Sequence, residues 1–170
     1  MSLRKWLLFL LVVALVLMVD QLSKAWIIAN MEIGETILLI PSLHPFFQIT
    51  YSTNTGAAFG FLPMAGGIFM IVAALISCVI LYFYWQTPLD ARLMQVGLSL
   101  VLGGAIGNVI DRLQHGYVVD FVHLVIPGVI SNVSNFADHA IVLGVLCLII
   151  DSFIRERAHK REKQQATETV

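Results

Sequence analysis

Apolar positions run almost unbroken through four stretches of the chain, near residues 6–28, 66–86, 94–113 and 136–154. Each is close to the roughly 20 residues a helix needs to cross a bilayer core, and a helix satisfies its own backbone polar groups in lipid. The pattern therefore predicts four transmembrane helices. The connections between them are unequal. Thr87–Leu93 is short and contains Pro88 at a turn-like position, whereas 29–65 and 114–135 are long and only partly polar. Within the first of these, Thr36–Ile40 and Phe46–Tyr51 have strand-like composition on either side of the breaker stretch Pro41–Pro45. A small sheet resting on the membrane is expected there. Beyond Ile154 the chain turns charged and polar, as a helix end leaving the bilayer does.

Charge sets the orientation. Arg4 and Lys5 precede the first run, Arg92 lies in the short link, and Arg155, Arg157, Lys160, Arg161 and Lys163 follow the fourth. Eight of the ten Lys and Arg thus fall on one face, which predicts that both termini are cytoplasmic and that the long connections lie outside. The basic pair ahead of Trp6–Val19 resembles the start of a secretory signal. No small-x-small cleavage site follows, and the apolar pattern resumes through Ala25–Ala29, so an uncleaved span is expected.

Composition agrees with this reading. The chain is 58% hydrophobic and 12% charged, with a mean hydropathy of +0.86, which excludes an ordinary soluble domain. A net charge of −1 without a basic stripe argues against a nucleic-acid partner. Cys78 and Cys147 lie in apolar runs without CxxC or ligand spacing and read as small core residues. With no internal repeat, the expectation is a single membrane domain over 1–170: an all-α membrane protein with a small extracytoplasmic β-sheet.

Against this background the polar residues at membrane depth stand out, because an ionisable group there is costly and by default functional. Asp20 and Lys24 are four apart on the first helix, hence on one face, where they either neutralise each other or serve a site. On the third, Gly103 and Gly107 form a small-xxx-small seam, and Asn108 and Arg112 stand four apart beside it, suited to orienting a polar substrate backbone. Asp120 falls just past the third helix and Asp138 at the start of the fourth, so both belong to the same outer interface. Two carboxylates in a water-poor place can share one proton, the arrangement by which a pair of acids activates water against an amide.

If Ser134 or Asn135 caps the fourth helix, Asp138 sits in its first turn, where the macrodipole favours the charged form. Asp120 would then more often hold the shared proton. His123 and His139 stand near these acids, but Asp138 and His139 are helix neighbours pointing about 100° apart, and no His-Glu-x-x-His pair is present. No metal or other cofactor is expected.

Five blocks carry a resemblance: Asp20-Gln21-Leu22-Ser23-Lys24, Asn54 through Gly60, Gly103 through Arg112, Gly116 through Phe121, and Asn135-Phe136-Ala137-Asp138. In order and spacing they resemble the blocks of bacterial lipoprotein signal peptidase, or signal peptidase II. The resemblance implies an aspartic endopeptidase of the bacterial cytoplasmic membrane with its site on the extracytoplasmic side and Asp120 and Asp138 as catalytic pair. It implies cleavage of a diacylglyceryl-modified prolipoprotein just before the lipidated cysteine, in contact with membrane lipid. It also implies inhibition by globomycin-type cyclic peptides. Carried over by motif, Asn54, Gly56, Asn108, Arg112 and Asn135 would support the site or contact substrate, with Asp20 as a structural support and Lys24 beside it. The chain is expected to act as a monomer.

One departure is that Ser134 precedes Asn135 where the family usually has Phe. The segment Asn54–Phe61, rich in glycine and alanine, is a candidate mobile cover over the pair. Two other classes compete: a small transporter or proton channel, which would not need two acids clustered at one interface, and a tetraspan scaffold, which leaves the polar blocks without a purpose.

Overall fold

The computed structural model describes residues 3–56 and 65–168; the Asn54–Phe61 cover lies, from residue 57 on, outside the described residues. The chain forms α1 (Leu3–Asn30), β1 (Thr36–Ile37), a short 3₁₀ turn (Pro41–Leu43), β2 (Phe47–Asn54), α2 (Ala65–Gln86), α3 (Arg92–His115), β3 (Val118–Ile126), β4 (Ile130–Ser134) and α4 (Phe136–Glu168). Among the described residues, α1, α3 and α4 are long and apolar enough to cross a membrane. The span expected at 66–86 falls on α2, whose described apolar stretch, Ile71–Gln86, is shorter.

Helix α3 is the buried centre, and its glycines explain how. A Cβ at Gly103 would lie 2.9 Å from the Val16 Cβ, and one at Gly107 would lie 2.6 Å from Asp20 Oδ2, so this face meets α1 in a parallel register. On a neighbouring face, a Cβ at Gly104 would lie 2.3 Å from the Ala137 carbonyl oxygen, and one at Gly97 would lie 2.9 Å from that of Gly144. That face meets α4 antiparallel. The expected small-residue seam is therefore two seams, each allowing backbones to approach where lipid supplies no hydrophobic drive for association.

Helix α2 joins at the opposite end from the sheet. Ile80 and Tyr84 pack with Phe9, Leu98 and Leu102, and the Tyr84 hydroxyl donates to the Lys5 carbonyl at 2.6 Å. Lys5 Nζ donates in turn to the carbonyls of Thr87 (2.6 Å) and Trp85 (3.1 Å), satisfying acceptors that a helix C-terminus leaves open.

The sheet is antiparallel throughout, in the order β1-β2-β3-β4. The expected strand pair is present as β1 and β2, in the register Thr36↔Thr50, but β1 stops at Ile37 and β2 runs on to Asn54. The chain is mostly helical with a small sheet, as expected, but the sheet has four strands, and two of them come from the segment 114–135, where no strand was expected. The reason is physical: Val118 through Phe121 and Val122 are all buried, so β3 lacks the apolar-polar alternation that betrays a half-exposed strand. Gly116, at φ +81°, closes α3 with its N–H on the Arg112 carbonyl and turns the chain directly into β3. Ile27 and Met31 at the end of α1 pack with Ile49, Tyr51, Val119, Phe121 and Val122, fixing the sheet on the helices.

The cysteines also need correction. Both are free, but Cys78 is exposed and Cys147 only half-buried, so they are not both core residues. Where the surrounding solvent is lipid, apolar character does not select for the protein interior.

Candidate active site

Asn135 organises the site because it is the residue at which β4 becomes α4. Its Oδ1 accepts the Asp138 backbone N–H at 2.9 Å, the capping bond of a helix N-terminus, which places the Asp138 side chain in the first turn. Its Nδ2 is thereby turned away from the helix and donates to Asp120 Oδ1 at 2.6 Å. Of the two capping candidates in the sequence, Asn135 is the one that acts.

Asp120 is presented by β3 opposite Ser52 of β2 and is 3% exposed. Its second oxygen, Oδ2, accepts from Asn54 Nδ2 at 3.0 Å. The Asn54 amide is oriented in the same way as that of Asn135: its Oδ1 accepts the Gly56 backbone N–H at 2.9 Å, where φ of +75° makes the turn one that favours glycine. Asp138 is half-buried, and its Oδ1 accepts from Asn108 Nδ2 at 2.7 Å. The Asn108 amide is oriented too, since its Oδ1 accepts from Lys24 Nζ at 3.2 Å and from Asn135 Nδ2 at 3.3 Å. Each of the three amides thus has its oxygen occupied by a donor and its NH2 aimed at a carboxylate. Burial pushes the Asp120 carboxyl up to about 6; the negative charge of Asp138 pushes the same way, and the amide donors and Lys24 oppose it.

Beside this pair lies a second cluster between α1 and α3. Lys24 Nζ sits 2.9 Å from Asp20 Oδ2 and 2.8 Å from Asp111 Oδ2, with all three side chains almost fully buried. Asp20 Oδ1 accepts the Ala137 N–H at 2.9 Å, tying α1 to the turn that holds Asp138, and Asp111 Oδ2 accepts the Val119 N–H at 3.0 Å, tying α3 to the strand that holds Asp120. Gln21 Nε2 bridges Asp20 (3.1 Å) and Asp111 (2.9 Å). Of the residues singled out in the sequence, Asn54, Asn108, Asn135, Asp120 and Asp138 form one hydrogen-bonded set, Gly56 joins it through Asn54, and Lys24 links it to Asp20. Arg112 Nη1 donates to the Asn108 carbonyl at 3.2 Å.

In the sequence Gln21 and Asp111 stand out only as members of the blocks Asp20–Lys24 and Gly103–Arg112, with no role of their own. The signal was present in the spacing: Gly103, Gly107 and Asp111 recur every four residues, so the face that approaches α1 ends in an acid level with Lys24. The histidines near the acids are engaged elsewhere. His123 bonds Gln48, Thr50 and Ser131, each at 2.9 Å, and His139 bonds Ser134 at 3.2 Å. Among the described residues, no three His, Cys, Asp or Glu side chains gather as a metal would need.

Comparison with known proteins converges on one family. The family model described as Signal peptidase (SPase) II matches residues 12–154. The chain is 44% identical over 150 residues to the lipoprotein signal peptidase of Shewanella loihica, covering 86% of each protein. It is 47% identical over 116 residues to that of Moorella thermoacetica, covering 68% of this chain and 75% of the relative. A bacterial membrane enzyme solved by the in meso method superposes with a TM-score of 0.78 at 34% identity, over 89% of this chain and 90% of that one.

Proposed function

This chain belongs to the signal peptidase II family, and from that premise we propose that it is an aspartic endopeptidase acting on diacylglyceryl-modified prolipoproteins. It cuts the signal peptide just before the lipidated cysteine, with Asp120 and Asp138 as the catalytic pair. The supporting observation is that both acids, drawn from different elements, are held through Asn135 with oriented amides on three of their four oxygens.

Asp120, whose buried carboxyl holds its proton to about pH 6, donates a hydrogen bond to the scissile carbonyl. Asp138, at the N-terminus of α4, carries the dyad's negative charge and takes a proton from the attacking water. The water oxygen bonds to the carbonyl carbon, the tetrahedral intermediate collapses, and the C–N bond breaks as a proton passes to the leaving amine. The dyad then again holds one proton between two acids. Asn54, Asn108 and Asn135 keep the carboxylates in place through this exchange, Lys24 and Asp20 hold Asn108 and the start of α4, and Gly56 lets the chain turn away from Asn54.

The single membrane domain lies in the bacterial cytoplasmic membrane with both termini inside and the dyad at the outer face. It works as a monomer on a substrate that arrives through the lipid, and a globomycin-type peptide competes for the site. The experiment is a cleavage assay in lipid with a prolipoprotein carrying the diacylglyceryl group and the same chain lacking it. Cleavage of the lipidated chain alone, undiminished by a chelator, is expected. Equal cleavage of both, or loss with EDTA and recovery with zinc, contradicts the proposal.

A further inference from the structure

The end of the sheet farthest from the dyad carries an apolar surface that, among the described residues, neither the helices nor the site uses. Two loops meet there. The β1–β2 connection is joined to β3 by the Val125 N–H on the Phe46 carbonyl at 3.0 Å, and the β3–β4 hairpin closes through Pro127 and Gly128 (φ +76°), with the Val129 N–H on the Ile126 carbonyl at 2.9 Å. Leu39, Leu43, Phe46, Ile126, Val129 and Ile130 are all exposed on these loops, Val129 to 75%.

The sequence around them is as telling as their exposure. No Asp, Glu, Lys or Arg occurs from Thr36 through Leu89 or from Phe121 through Ala137, so both loops are free of formal charge, although exposed Glu32 and Glu35 lie just before β1. Polar groups on the adjacent strands are internally satisfied: Thr36, Thr50, His123 and Ser131 form a hydrogen-bonded row across all four strands. A water-facing tip of this kind would be an aggregation site.

We infer that the tip formed by residues 38–46 and 124–130 inserts into the leaflet on the dyad side of the membrane. Continuity with the lipid-facing surface of the helices identifies the occupant. The sheet is rooted at the ends of α1, α3 and α4, so its base lies at the bilayer surface, and the exposed apolar face of α1 passes through Trp26 and Ile28 to Ile33 shortly before the first loop begins. Ile126 lies six residue steps along β3 from Asp120, about 20 Å. A tip anchored in lipid would hold the base of the sheet, and Asp120 with it, at a fixed height in the interface. With no lysine or arginine in either loop, and His44 neutral at pH 7, insertion rests on apolar contact and not on attraction to anionic headgroups.

The full-length protein carrying a nitroxide at V129C, with C78S and C147S to leave a single thiol, is reconstituted in phosphatidylcholine vesicles. Its accessibility to oxygen and to a water-soluble nickel chelate is then measured, with a label at E35C as reference. The 129 label is expected to be several-fold more accessible to oxygen relative to nickel than the 35 label. The ratio should be unchanged by adding phosphatidylglycerol or 1 M salt, and a label at L39C should match it. Equal nickel accessibility at 129 and 35 overturns the inference. Spin–spin broadening at 129 that grows with the protein-to-lipid ratio also overturns it, by showing that a second copy covers the tip.

Discussion

Two pairs of aspartates lie side by side in this protein, and the fold treats them in opposite ways. Asp20 and Asp111 share the ammonium of Lys24, and their remaining oxygen sites are filled by the backbone N–H groups of Ala137 and Val119 and by Gln21. Asp120 and Asp138 instead receive side-chain hydrogen bonds from the neutral amides of Asn54, Asn135 and Asn108. A cation in contact favours the charged carboxylate strongly, whereas a neutral amide orients it and favours the charged form less. The first pair is suited to holding elements together and the second to moving a proton. The two are also linked, because Lys24 reaches Asn108 as well as the two structural acids.

The contrast can be broken most forcefully at Lys24. Replacing it by Met strands Asp20 and Asp111 in the interior, and loss of one partner of a buried pair costs about 3–5 kcal/mol. Thermal unfolding in detergent should register this; an unfolding temperature equal to wild type would show that the cluster is not structural. Asn135→Ala removes both the α4 cap and the Asp120 donor. A stability loss of about 1 kcal/mol together with a fall in cleavage rate of about 10²-fold is expected from unfolding and single-turnover assays on one preparation. A change in stability alone would deny Asn135 its link to the dyad.

The smallest effect at neutral pH comes from titration. The protonated form of Asp120 is the one that donates to the carbonyl, and its carboxyl is raised to about 6. kcat/KM should therefore hold between about pH 5 and that value and fall about tenfold per unit above it. A profile flat from pH 5 to 8 would place the shared proton elsewhere.

Much of this could be read from the chain. The apolar runs located α1, α2, α3 and the start of α4 to within a few residues, though α4 continues as far as Glu168. Asp120, Asp138 and Asn108 stood out because charge and amide groups are expensive at membrane depth, while Asn54 came from the family resemblance. Strand β3 was hidden, since Val118 through Val122 are buried on both faces and so show no alternation. Asp111 was visible but its partner was not, because spacing within α3 says which residues share a face and not which helix that face meets. Cys78 misled for a related reason: in lipid, an apolar residue has no preference for the interior.

The assignment of chemistry to the second pair is tested most directly by the single-turnover cleavage rate, per folded enzyme, of Asp120→Asn and Asp138→Asn on a lipidated prolipoprotein. Each amide is nearly the shape of the acid it replaces, so the unfolding temperature should stay close to wild type while the rate falls by about 10³-fold or more. Turnover near the wild-type rate by either variant would contradict the account.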